Sequence, residues 1–264
     1  MLGAIIGDIA GSIYEWNPIK HKDFQPLLGA KAFLTDDSVL TIAVADSLVN
    51  GRSPVVAFKD WGGRYPNSGW GGRFRQWLFS SATEPYGSYG NGAAMRVSPA
   101  GLLARTPEQA VALAEQVTRI THDHPEGLKG GVVTSLAIYL ARTGTPAPRI
   151  RTRIADTYGY DLNRTLDQIR PGYCFNETCQ HTVPEALICA LDAIDYEDAI
   201  RNAISLGGDA DTLAAIAGGI AEARFGIPPA IAQQGWNRLP DDLREVLEAL
   251  YRQAEVPFPW MGEL

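Results

Sequence analysis

Cysteine is scarce: the 264 residues contain only Cys174, Cys179 and Cys189. An odd, small set in a chain of this size excludes a disulfide framework. Cys174, Cys179 and His181 offer three zinc ligands at a spacing unlike the paired ligands of a finger, so they are expected to be ordinary residues near a pocket. Long hydrophobic runs are missing too. No stretch approaches the ~18–20 apolar residues of a membrane span. The apolar start, residues 1–9, contains Asp8 and lacks the basic region and cleavage site of a secretory leader. The expected compartment is therefore the cytosol, with no membrane partner. Positive charge is in deficit: 23 Lys and Arg against 30 Asp and Glu give a formal charge of -7, which excludes nucleic-acid binding by bulk electrostatics. Alternating β-branched runs joined by hairpin turns are also missing, and an all-α fold is expected.

What is present is helical. Apolar positions recur on helical spacing over residues 38–49, 107–120, 130–141, 183–194, 196–206, 212–225 and 241–254. Pro107 and Pro240 stand where a first helical turn accepts proline, and Gly51, Gly144 and Gly226 stand where helices stop. The stretches 50–54, 65–72, 143–148 and 170–180 read as loops too short to be linkers, so one domain over 1–264 is expected. Gly3, Gly7 and Gly11 fall every four residues and make one stripe on a helix. Ala214, Ala215, Ala217, Gly218 and Gly219 give a second helix a small face. An interior glycine costs about 1 kcal/mol against alanine. The compensation expected is close approach of these two helices, which would bring the ends of the chain together.

The chemistry concentrates in two acidic clusters. Thr35-Asp36-Asp37-Ser38 opens one helical run, and Gly207-Gly208-Asp209-Ala210-Asp211-Thr212 opens another. Taken alone, the first is a helix cap, with Thr35 as the capping side chain and the two carboxylates at the positive end. The second repeats the pattern far away in sequence, with two glycines that allow a tight turn. Neither is an EF-hand loop, since the helical run follows at once without the central Gly and terminal Glu. Each is half of a site for hard cations, which take oxygen ligands. Four carboxylates, the hydroxyls of Thr35 and Thr212, and Glu15 as a fifth carboxylate suffice for a pair of ions.

Two glycine-rich entries follow. Gly87-Ser88-Tyr89-Gly90-Asn91-Gly92 and Gly69-Trp70-Gly71-Gly72-Arg73 each lead into a helical segment. Such turns present backbone N–H groups to an anion, and Tyr89 offers a ring for stacking. Neither carries the Lys-Ser/Thr ending of a Walker loop. Thr121-His122-Asp123-His124 lies between two helices, where the histidines serve either a transition metal, a substrate hydrogen bond or a polar turn. There is no Gly-x-Ser-x-Gly elbow, which argues against a serine triad.

Together these motifs resemble the ADP-ribosylglycohydrolase family. The resemblance is carried by GAIIGDIAGSIYE at 3–15, LTDDSVLTIAVADSL at 34–48, SYGNGAAMRVSPAG at 88–101, THDHPEGLKGG at 121–131 and GGDADTLAAIAGGIAEARFG at 207–226. It implies a compact all-α domain with two Mg2+ or Mn2+ ions at the base of a cleft. The implied metal ligands are Thr35, Asp36, Asp37, Asp209, Asp211 and Thr212, and the implied catalytic carboxylates are Glu15, Asp37 and Asp209. Ser88, Tyr89, Gly90 and Asn91 would hold the diphosphate and distal parts of ADP-ribose, His122 a phosphate or ribose, and Gly71 and Gly72 the diphosphate. The implied reaction is metal-dependent hydrolysis at C1″ of an ADP-ribosyl group, with an ADP-ribosylated protein or a small ADP-ribose conjugate as partner. Some arginine-directed members carry an acidic residue in the loop that corresponds to 69–74; this chain has none there. The alternatives are a non-catalytic ADP-ribose-binding or crystallin-like protein, and a metal hydrolase of another nucleotide-sugar.

Overall fold

The structure is a computed structural model and describes residues 1–259. In chain order its helices are α1 (Leu2–Gly11), α2 (Asp36–Asn50), α3 (Pro54–Arg64), α4 (Gly72–Leu78), α5 (Gly92–Met95), α6 (Ser98–Leu103), α7 (Pro107–Thr118) and α8 (Pro125–Arg142). They continue with α9 (Ala147–Tyr158), α10 (Leu166–Ile169), α11 (Cys179–Leu191), α12 (Tyr196–Ile204), α13 (Ala210–Phe225), α14 (Pro229–Trp236) and α15 (Asp241–Ala254). Among the described residues there is no strand, only one isolated bridge between Gly90 and Thr178. The fold is all-α, as the residue pattern predicts. No helix among the described residues is long and apolar enough to cross a membrane.

Local chemistry sets the helix ends. Thr35, Thr106 and Asp195 accept a backbone N–H at the starts of α2, α7 and α12, filling donors that a first turn leaves open. Gly51 ends α2 in the left-handed region at φ 63°, and Gly226 ends α13 at φ 73°. Pro240 stands one position ahead of the first turn of α15, at the cap.

Some boundaries differ from the sequence pattern. Helix α8 begins at Pro125 rather than at 130, because the His124 side chain accepts the Glu126 N–H and proline occupies the first turn. Helix α11 runs from Cys179 with Pro184 inside it, so the apolar pattern from 183 onward misses its first turn, where Cys179 and Thr182 are also buried. Helices α3, α9 and α14 have no counterpart in the periodic segments. Helix α9 buries only Ile150 and Ile154, and α14 only Ala232 and Gly235, too few positions to make a periodic signal.

The organising contact is α1 against α13. All ten residues of α1 are buried, as is α13 from Ala210 to Ala221. A Cβ on Gly3 would stand 2.7 Å from the Gly218 carbonyl oxygen, and one on Gly7 or Gly11 would run into the backbone of Ala214 or of Ala210 and Asp211. The predicted glycine stripe is thus a backbone-to-backbone contact. Helices α8, α11 and α12 pack around α13, and α2 packs on α3, α6 and α15. One continuous hydrophobic core runs through these helices, with a small satellite at Ala100, Ala114 and Val132.

This contact predicts an asymmetry between glycines. Gly7→Ala forces a methyl into immovable backbone and is expected to destabilise the fold by about 3 kcal/mol. Gly63 in α3 faces open space, and Gly63→Ala is expected to stabilise by roughly 0.5–1 kcal/mol. Urea unfolding of the two variants measures the difference, and equal effects would show that the α1–α13 contact is not tight.

Candidate active site

The α1–α13 contact brings the two acidic helix starts together. Gly11 lies against the Asp211 backbone, and Asp8, one residue past Gly7, faces the start of α2. Asp8 is fully buried. Its carboxylate accepts the Thr35 N–H at 3.1 Å, the Thr35 hydroxyl at 2.7 Å and the Ser38 N–H at 3.2 Å, and also the Ser38 hydroxyl. Thr35 Oγ1 accepts the Asp37 N–H at 3.2 Å. Asp8 therefore fixes the first turn of α2, and with it the direction of Asp36 and Asp37. On the other side Gly207 adopts φ 64°, and a side chain there would meet the Ile19 carbonyl at 2.7 Å. The turn delivers Asp209 to the cap of α13 without a capping bond from its side chain. That carboxylate instead accepts Asn91 Nδ2 at 2.7 Å. Thr212 Oγ1 donates to Asp37 across the interface at 3.4 Å.

The result is a cluster of carboxylates. Asp8, Asp37 and Asp211 each offer an oxygen within 4.8 Å of the others, and so do Glu15, Asp209 and Asp211. Asp211 joins the two triads. No ion pair among the described residues reaches any of these groups. Burial, reinforced by the neighbouring carboxylates, pushes Asp37 and Asp211 well above the usual range. Burial and Asp8 raise Asp36 to about 8, and burial with the Asp209 charge raises Glu15 to about 7. Burial lifts Asp8 only to about 6, because its four hydrogen bonds oppose the rise. Asp37 Oδ1 is buried without a hydrogen-bond partner. All-oxygen donors, uncompensated negative charge and an orphaned carboxylate oxygen fit hard divalent cations.

The cluster forms part of the wall of a cavity of about 460 Å³. Thr35, Asp36, Asp37, Asp209, Asp211 and Thr212 all line it, as does Glu15. So do Gly71, Gly72, Ser88, Gly90, Asn91 and His122. Tyr89 is the exception: its ring packs against His124 at 5.2 Å between centroids, outside the lining. The glycine-rich loop is held from both sides. Asp123 accepts the Gly87 N–H at 2.7 Å and the Thr121 carbonyl the Ser88 N–H at 3.3 Å. The Glu177 carbonyl accepts the Asn91 N–H at 2.7 Å, and Cys179 N–H donates to the Tyr89 carbonyl at 3.0 Å.

Trp16, Phe33, Tyr86 and Glu177 line the cavity from outside the motifs, while Arg73 and Arg96 lie inside motifs that gave them no role. Asp8 is the main omission. Its available signal is a lone carboxylate inside a glycine-striped apolar helix, where burial without purpose is costly. Cys179 is buried with its thiol donating to the Gly90 carbonyl at 3.0 Å, Cys174 is exposed, and burial pushes the Cys179 thiol pKa up. Among the described residues no cysteine joins a metal-holding group.

A family model described as ADP-ribosylglycohydrolase matches residues 1–259. ADP-ribosylarginine hydrolase Tri1 of Pseudomonas putida (strain GB-1) is 25% identical over 90% of this chain and 74% of its own length. ADP-ribosylhydrolase ARH3 of Homo sapiens is 25% identical over 86% of this chain and 84% of its own. A solved structure titled ADP-ribosylglycohydrolase-related protein complex aligns with a TM-score of 0.70 at 24% identity, covering 96% of this chain and 97% of that one. It shows the fold.

The crowded carboxylates predict a pH dependence. A carboxyl whose pKa is raised by folding contributes stability below its unfolded pKa, and that contribution is lost as pH rises through the folded value. With chelator present, wild-type stability is expected to fall between pH 5 and 8 relative to Asp37→Asn, which carries no charge there. The gap should widen as pH rises across that range. Chemical unfolding of both proteins across that range checks it, and a constant gap would mean that Asp37 feels no crowding.

Proposed function

The chain belongs to the ADP-ribosylglycohydrolase family, and from that premise we propose that it hydrolyses the glycosidic bond at C1″ of ADP-ribosyl groups with the help of two divalent ions, Mg2+ or Mn2+. The observation that carries the reading is the meeting of two acidic helix starts, unpaired by any base, in a cavity whose wall also holds glycine-rich loops and the cations Arg73 and Arg96. In this reading Thr35, Asp36, Asp37, Asp209, Asp211 and Thr212 hold the ions. Bound there, the ions supply positive charge toward which ribose hydroxyls orient and beside which water ionises more readily.

The remaining chemistry belongs to the side chains. With ions bound, Asp37 and Asp209 would place carboxylate oxygens beside C1″, where positive charge develops as the bond breaks. Glu15 is half-buried, and burial beside Asp209 holds its carboxyl near neutrality, so it is suited to move a proton between water or leaving group and bulk solvent. Arg73, stacked over Tyr86 at 5.0 Å, offers charge to the diphosphate. Gly71, Gly72 and Gly90 leave room for backbone to approach it, Ser88 and Asn91 add polar contacts, and His122 faces a phosphate or ribose. Tyr89 is assigned the distal end of the ligand, beyond the cavity proper. The substrate is an ADP-ribosylated protein or a small ADP-ribose conjugate. Tri1 is named for ADP-ribosylarginine, which makes arginine the first linkage to assay, although loop 69–74 has no acidic residue.

Purified protein with Mg2+ or Mn2+ is expected to release ADP-ribose from at least one of arginine-, serine- and acyl-linked conjugates, and chelator should stop it. Asp36→Asn and Asp209→Asn should each lower kcat by at least about 10³-fold, and Glu15→Gln by about 10²–10⁴-fold. Chromatography of the released nucleotide measures the rates. Normal turnover by both Asp variants would sink the ion assignment, and binding without release across all linkages would mark the protein as a reader of ADP-ribose.

A further inference from the structure

Behind the cavity lies a three-residue chain of hydrogen bonds that ends at its wall. Arg96 is fully buried. Its Nη2 donates to Thr121 Oγ1 at 2.7 Å, and its guanidinium lies over the Phe58 ring at 4.7 Å. Thr121 is fully buried as well, and its Oγ1 lies 2.8 Å from His122 Nδ1. The far nitrogen of His122, Nε2, points at the glycine-rich loop. A Cβ on Gly92 would stand 3.4 Å from it and one on Gly90 3.6 Å, so both glycines keep open the space in front of that nitrogen.

Proton counting orders this chain. Arginine has no acceptor, so the Arg96–Thr121 bond can run only from guanidinium to hydroxyl. The hydroxyl carries one proton of its own, and among the described residues the only other atom bonded to Oγ1 besides its capping arginine is His122 Nδ1. If Nδ1 held a proton, Oγ1 would receive two bonds and its own hydrogen would be buried without an acceptor. Such an orphan is disfavoured. The arrangement that leaves neither the Thr121 hydroxyl nor Nδ1 unpaired has the hydroxyl donating to a bare Nδ1, which leaves the imidazole proton on Nε2. Protonation of both nitrogens is opposed by burial and by the charges of Arg96 and Arg73, which drive the His122 pKa well below its ordinary value.

We propose that Arg96 and Thr121 are positioning residues that lock His122 in its Nε2–H tautomer and so aim a neutral hydrogen-bond donor at an anionic oxygen of the bound nucleotide. The assignment of that oxygen to a phosphate of ADP-ribose rests on the functional reading above; the tautomer does not. A bare Nε2 would instead present a lone pair to a negatively charged ligand. The relay thus decides whether the same ring attracts or repels a phosphate oxygen. It also gives buried Arg96 a purpose that no ion pair supplies.

The test is spectroscopic first. In protein labelled with 15N-histidine, with His122→Gln used to identify the resonances, a long-range 1H–15N correlation at neutral pH should give a pyridine-like shift for Nδ1 and a pyrrole-like shift for Nε2. A pyrrole-like Nδ1 overturns the proposal. Thr121→Val should mix the tautomers and weaken ADP-ribose binding in Mg2+ buffer by about tenfold, read by calorimetry, while Thr121→Ser restores both. A Thr121→Val protein with wild-type spectrum and affinity also overturns it. Should valine prevent folding, the wild-type spectrum and the serine variant still decide the question. If the wild-type spectrum is as expected but ADP-ribose does not bind, the relay stands and the reading of the cavity falls.

Discussion

The structure depends on two helix backbones lying closer than side chains would normally permit. The glycines of α1 remove every Cβ that would hold α13 away. What the contact gains in buried area and dispersion offsets the helix propensity that those glycines forfeit. Its further effect is positional. The stripe ends at Gly11 against Asp211 and passes Asp8 on its flank, so the depth of one helix groove sets how far apart the two acidic clusters stand. A side chain added at any of the three glycines would move carboxylates as well as loosen packing.

Bringing these carboxylates together is electrostatically unfavourable, and the fold meets the cost in two different ways. Asp8 is saturated with donors from Thr35 and Ser38, which makes it a brace for α2. Asp37 has one oxygen with no partner at all, and Asp36 stands at the cavity wall. The distinction separates a carboxylate that supports from carboxylates kept available. No arginine or lysine neutralises the available ones. Nearby cations are instead committed elsewhere: Arg96 to Thr121 and Phe58, Arg73 to Tyr86.

Much of this was readable from the residues. The glycine stripe, the paired Asp clusters and the breaks at Gly51 and Gly226 are local patterns with a local physical meaning, and the structure bears each of them out. The approach of α1 to α13 followed from residue size, and the meeting of the clusters from each being half of a cation site. Asp8 stayed hidden since one acidic residue in an apolar helix reads first as an argument against a membrane. Glu177, and the role of Arg96 within its motif, stayed hidden for a different reason. Their place on the cavity wall is set by contacts between segments far apart in the sequence, and no periodicity encodes that. Helices α9 and α14 bury too little to leave a pattern, and Pro184 obscured the true start of α11.

Asn91 has a place in this arrangement that extends beyond geometry. Its side-chain nitrogen spans Asp209 at 2.7 Å and Thr182 at 3.2 Å, and its backbone N–H is tied to the Glu177 carbonyl. The residue belongs at once to the glycine-rich loop and to the carboxylate cluster. A displacement of the loop would therefore reach Asp209 through a single amide, and a change at Asp209 would reach the loop through the same bond.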